Sequence, residues 1–203
     1  MEEILPGVFH WTSFHEGIGA DVHSSYLAAA DPPLLIDPRL PEEGLRWFEG
    51  RPRPAHAYLT NRHHYRHSGL FAEAFGLQVW CHRQGLHEFT RGEKVTSFEH
   101  GDELPGGVLA LRIAALCPEE TALRIPLHGG IVALGDSVID EGKGLEFVPD
   151  AYLGDDPAAV KAGLLQAFRH LLEHPFAHLL LAHGPPRIDD GKEALRQFVQ
   201  ARE

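Results

Sequence analysis

Arg62, His63, His64, Arg66 and His67 fall within six residues of one another in the stretch Leu59–Leu70. Histidines at such spacing are a signal for a divalent metal ion, since a neutral imidazole offers a lone pair. The arginines argue the other way. A guanidinium keeps its charge at any reachable pH and has no lone pair to give. Three further places carry polar groups at the ends of apolar runs: Pro118-Glu119-Glu120-Thr121, Gly135-Asp136 and His183-Gly184. Two chemistries can use such groups. One is a metal ion that activates water, and the other is a metal-free cluster in which arginines neutralise carboxylates.

The elements that must position these side chains are legible in outline. The apolar run Ala55–Leu59 reads as a strand, and Gly69–Phe75 follows as a helix, so the histidines sit on a strand-to-helix turn. Ile4–Trp11, Ser25–Ala30, Leu34–Ile36, Leu77–Cys81, Val108–Leu116, Thr121–Leu127, Ile131–Leu134 and Ala177–Ala182 also read as strands. His128-Gly129-Gly130 reads as a hairpin turn. Helices are predicted from Pro41 to Phe48, from His82 to Phe89, after Asp156-Pro157 and from Glu193 to Ala201. His10, His15 and His23 are expected in early loops that could rim a cleft.

The 203 residues are 43% hydrophobic and 23% charged, in the range of one soluble globular domain. A net charge of −11 disfavours nucleic acid as a partner. The acidic start, Met1-Glu2-Glu3, lacks an apolar run of signal length, and nothing approaches a membrane span. Cys81 and Cys117 form no paired framework, which fits a reducing, cytoplasmic setting.

On these elements and motifs the chain resembles the metallo-β-lactamase fold superfamily over nearly its whole length. Ser24-Ser25-Tyr26-Leu27 with Leu34-Leu35-Ile36-Asp37 looks like that family's opening strands, and Glu99-His100-Gly101-Asp102 like its polar mid-chain turn. The resemblance implies a four-layer αββα sandwich: two mixed sheets face to face, helices outside, and two similar halves at roughly 1–105 and 106–203. It also implies a ligand set. The family's loop pattern, Thr-His-x-His-x-Asp-His-x-Gly, falls on Arg62, His64, Arg66 and His67, and the later ligands fall on Glu120, Asp136 and His183. His64, His67, Asp136 and His183 are kept, Glu120 replaces a histidine, and two positions have become arginine.

Two readings follow. In the first, His67, Asp136 and His183, with His64 or Glu120, hold one Zn or Fe, and Arg62 or Arg66 binds a substrate carboxylate or an oxyanion. That describes a hydrolase of a small ester, thioester or lactone, with Asp136, Arg62 and Arg66 as its catalytic groups. In the second, Arg62 and Arg66 pair with Glu120 and Asp136 in place of metals, leaving a non-catalytic protein that binds an anionic ligand. Iron-dependent oxidation is a third use of a two-histidine, one-carboxylate set. β-Lactamase activity is not expected from an incomplete ligand set. Asp37, His63 and Tyr65 are candidates for supporting or pocket roles, Cys117 for a nucleophile, and a homodimer for the assembly.

Overall fold

Alternation along the first strands already demands two packed faces. Val8 and Leu27 turn to one side of their strands, while Trp11 and Tyr26 turn to the other, and all four are buried. The computed structural model describes residues 1–202. Its first sheet runs β1 (Glu2–Leu5), β2 (Val8–His15), β3 (Ala20–Leu27), β4 (Leu34–Ile36), β5 (His56–Tyr58), β6 (Gln78–His82) and β7 (Val95–Phe98), in that spatial order. Pairing is antiparallel from β1 to β4 and parallel from β4 to β7.

The chain then supplies β8 (Glu103–Leu104), β9 (Val108–Arg112), β10 (Thr121–Ile125), β11 (Ile131–Leu134), the small hairpin β12 (Ile139–Asp140) and β13 (Leu145–Glu146), and β14 (His178–Leu181). The second sheet runs β14-β11-β10-β9-β8, with β14 parallel to β11 and the other pairs antiparallel. Between the sheets, Leu27, Leu34, Ile36 and Tyr58 pack against Leu123, Ile125, Ile131 and Leu180. The outer face of the first sheet is covered by α1 (Ser68–Phe75) through Phe71, and by Phe48. The outer face of the second is covered by α2 (Pro157–Leu171) and α3 (Gly191–Gln200) through Leu164, Phe168, Leu195 and Phe198. This is the four-layer αββα sandwich.

Local chemistry explains where elements start and where expectations failed. The Asp156 carboxylate accepts from the Ala159 N–H at 3.0 Å, with Pro157 at the first helical position, so α2 starts where its cap predicts. The helix expected over Pro41–Phe48 is only a 3-10 turn at Leu45–Phe48, because Gly44 (φ 67°) breaks the backbone before it. His82–Phe89 likewise yields a 3-10 turn, Arg83–Glu88. Ile4–Trp11 divides into two paired strands at Pro6-Gly7, and the run from Val108 stops at Arg112. His10, His15 and His23 lie in β2 and β3, not in loops.

Two backbone hydrogen bonds join the sheets at one edge. The Thr121 N–H donates to the Thr60 carbonyl at 2.9 Å, and the His23 N–H donates to the Ala182 carbonyl at 3.0 Å. The ends of β4, β5, β11 and β14 all open onto that edge.

Candidate metal centre

β5 ends at Tyr58, and the chain then turns through Asn61, whose Oδ1 caps the 3-10 turn Arg62–Tyr65 by accepting from the His63 N–H at 2.8 Å. The cap aims His64 inward. Its Nδ1 lies 3.0 Å from Asp37 Oδ2 and its Nε2 lies 3.1 Å from Asp136 Oδ1. From the end of β14, His183 Nε2 approaches the same Asp136 oxygen at 3.0 Å. One ligand atom from each of His64, Asp136 and His183 falls within 4.8 Å of the others. Asn61 Nδ2 donates to the remaining Asp136 oxygen at 2.7 Å and fixes the carboxylate's plane.

Behind His64, Asp37 is fully buried. It accepts from the Thr60 N–H at 2.9 Å and from the Thr60 hydroxyl at 2.6 Å. A carboxylate on Nδ1 holds a proton there, so a metal that displaces the Nε2 proton would meet a lone pair aimed at the centre, the arrangement that orients metal-bound histidine. Burial works against charge on His64, yet Asp136 and Asp37 override it and push the imidazolium up to about 9. Asp136 is held well below the usual carboxylate range, again against burial, by His64 and His183. Two nitrogens and one oxygen thus converge on a place that favours positive charge. This donor set suits Zn or Fe. Asp136 and His183 also line a cavity of about 990 Å³, so a bound ion would be reachable by substrate.

No protein-family model matches the sequence, and no curated protein matches it. Solved structures do match in shape. DIM-1 metallo-β-lactamase superposes with a TM-score of 0.73 at 13% identity, covering 100% of this chain and 97% of that one. A metallo-β-lactamase family protein from Thermus thermophilus gives 0.69 at 17% identity, covering 98% of this chain and 80% of that one. The chain has the metallo-β-lactamase fold. TTHA1623, solved in a di-iron-bound form, gives 0.64 at 24% identity, covering 88% of this chain and 94% of that one.

On this metallo-β-lactamase fold, several predicted site residues lie elsewhere than expected. His67 does not join the centre. Arg66 takes a left-handed backbone (φ 44°), which turns the chain so that His67 Nδ1 accepts from the Leu40 N–H at 2.9 Å. Arg66 itself donates to the carbonyls of His23 at 2.6 Å and Asp37 at 2.9 Å, bracing the backbone beside the centre. Arg62 Nη1 donates to the buried Glu119, and its Nε lies 3.9 Å from Glu88. The expected pairing of Arg62 and Arg66 with Glu120 and Asp136 is therefore not the one formed.

Glu120 is fully buried, accepts from the Ser137 N–H at 2.6 Å, and is outside the converging trio. Burial, with Asp136 nearby, pushes its carboxyl up to about 8. Tyr65 packs on Phe89 with ring centroids 5.6 Å apart, in the outer hydrophobic layer. His63 is exposed on the cavity wall. Cys117 also lines the cavity, but burial and the carboxylates of Glu120 and Glu119 push its thiol up, away from a nucleophilic thiolate. Thr60, Asn61 and Glu119 were missed in the sequence. Only an Asn at the head of the turn, the usual capping signal, could have revealed one of them.

Proposed function

We propose that the protein is a hydrolase of small, uncharged esters, thioesters or lactones that works with one divalent ion held by His64, Asp136 and His183. The observation that carries this is the approach of two Nε2 atoms to one Asp136 oxygen at the wall of a substrate-sized cavity. A bound ion supplies a water of lowered pKa and polarises a carbonyl. That TTHA1623, of the same fold, was solved in a di-iron-bound form supports a metal-binding reading. One ion rather than two follows from the engagement of His67 by Leu40 and of Arg66 by two carbonyls.

The chain's own residues define the rest. Asp37 keeps the His64 proton on Nδ1, and Asn61 fixes the Asp136 carboxylate. Ile18, from the β2–β3 turn, and Tyr152 are large apolar side chains left 57% and 73% exposed, and both line the cavity. Leu116, Ile139 and Val148 extend that apolar wall. Asp21 and Glu141 sit on the same cavity, while its arginine, Arg62, is already paired with Glu119. The cavity therefore favours an apolar acyl or alkoxy group over a carboxylate, which also argues against β-lactams as substrates.

Elemental analysis of protein stripped with chelator and reloaded with Zn²⁺, Fe²⁺ or Mn²⁺ tests the reading. Roughly one ion per chain is expected, lost in His183→Ala, with hydrolysis of p-nitrophenyl acyl esters by the loaded protein. A wild type that holds no ion, or a loaded one that cleaves no ester, thioester or lactone, overturns it.

A further inference from the structure

Beside the metal centre lies a pair of histidines that the ligand set does not use. β2 and β3 pair so that His10, Thr12 and His23 share the face turned toward the second sheet. His23 lines the cavity together with Asn61, Asp136 and His183. Its backbone is fixed at both ends: the N–H donates to the Ala182 carbonyl, one residue before His183, and the carbonyl accepts from Arg66. Its ring is fixed as well. His23 Nδ1 meets His10 Nε2 at 2.9 Å and the Thr12 hydroxyl at 3.3 Å, with the two imidazoles stacked at 22°. His10, only 7% exposed, forms the base of the pair.

His10 Nε2 and the Thr12 hydroxyl can each donate to His23 Nδ1. A bare Nδ1 accepts from both, and the ring's single proton then sits on Nε2, the polar atom left over for the cavity. We propose that His23, locked in this tautomer by His10 and Thr12, is a further catalytic residue that donates its Nε2–H to the substrate's carbonyl oxygen. This rests on the hydrolase reading above.

The role is that of a fixed neutral donor, and it consumes no proton. As the oxygen of water bonds to the acyl carbon, negative charge gathers on the former carbonyl oxygen and is met by Nε2–H. The bond from the acyl carbon to the alkoxy oxygen then breaks. One proton of the water ends on the alcohol and the other on the acid product, and His23 keeps its own throughout. Burial, with His183 and Arg66 close by, moves His23 down to about 4, and burial with His23 does the same to His10. The imidazoles therefore stay neutral over the range in which an esterase is assayed. A preorganised neutral donor of this kind acts where charge develops.

The test combines kinetics with a tautomer measurement. With zinc-loaded protein and p-nitrophenyl butyrate, His23→Ala should lower kcat about 100-fold with little change in KM, the scale of losing one oxyanion donor. Its zinc content should stay at the wild-type level. His23→Gln, which keeps an N–H, should recover about tenfold of that loss. Long-range ¹H–¹⁵N spectra of ¹⁵N-histidine protein should show His23 protonated at Nε2, mixed tautomers in His10→Phe, and the wild-type pattern in His10→Gln. A fully metal-loaded His23→Ala with wild-type kcat, or a wild-type His23 protonated at Nδ1, overturns this inference alone. A wild type with no metal or no hydrolysis overturns the hydrolase reading, and this role with it.

Discussion

Asp37→Asn is the sharpest probe of the centre, because it removes one oxygen and leaves the shape intact. Asp37 Oδ2 receives the Thr60 hydroxyl at 2.6 Å and His64 Nδ1 at 3.0 Å, while Oδ1 receives the Thr60 N–H. An Asn can keep the Oδ1 bond. Its NH₂ group would then face two donors, so His64 would have to give up its Nδ1 proton and hold the one on Nε2, the nitrogen whose lone pair a metal would need. Two charge-assisted bonds in a fully buried place contribute about 1.5–3 kcal/mol each, so a loss of roughly 3–6 kcal/mol of stability is expected. For a domain of this size that corresponds to a fall in Tm of about 6–24 °C. Metal affinity should drop about 10–100-fold through the altered imidazole alone. Thermal unfolding by circular dichroism, with and without Zn²⁺, and chelator competition measure both. A Tm within about 2 °C of wild type, together with unchanged affinity, would show that Asp37 does not orient His64.

Metal-free protein should lose stability as pH rises through the mildly alkaline range. His64, at about 9 against its ordinary 6.5, contributes stability that is complete below 6.5 and gone above 9. Glu120, at about 8 against 4.5, is favoured protonated in the folded chain, so its ionisation removes stability between those values. A Tm that rises from pH 6.5 to 9 in chelator would refute both. Glu120→Gln keeps an acceptor for the Ser137 N–H and should outlast wild type at pH 9 by on the order of 4 kcal/mol in urea unfolding. Arg62→Met strands the buried Glu119 and should cost about 3 kcal/mol, largely restored by adding Glu119→Gln, with metal content unchanged; a mild single variant would argue against the pair. Gly184→Ala should empty the metal centre in elemental analysis. At φ 149° an added Cβ would lie 2.7 Å from the Asp140 carbonyl oxygen and force the His183 loop to move.

The layered fold was legible because apolar alternation and the order of strands and helices are properties of many residues at once. The long helix α2 was placed by its Asp156-Pro157 start. Short elements were not. β7, β12 and β13 hold too few residues for any period to show, and a single glycine at position 44 cancelled a predicted helix. Within the site, His64, Asp136 and His183 come together, whereas His67 is diverted by a backbone angle at Arg66 that side-chain identity does not announce. Glu119 and Glu120 are adjacent and chemically equal, and only the local backbone decides that Arg62 reaches the first and not the second. His10 and His23 meet across a strand pair, and such a contact needs a register that one sequence cannot supply.

The edge joined by the Thr121–Thr60 and His23–Ala182 hydrogen bonds has a mechanical consequence. His64 belongs to the chain of the first sheet, Asp136 and His183 to that of the second, so an ion there would be a removable rivet between two sheets otherwise held mainly by apolar contact. Such a rivet must break before the sheets can part, so loading it should slow unfolding far more than it speeds folding. Metal supply would then set the lifetime of the molecule as well as its chemistry, and starvation for the ion would mark the chain for proteolysis from this edge.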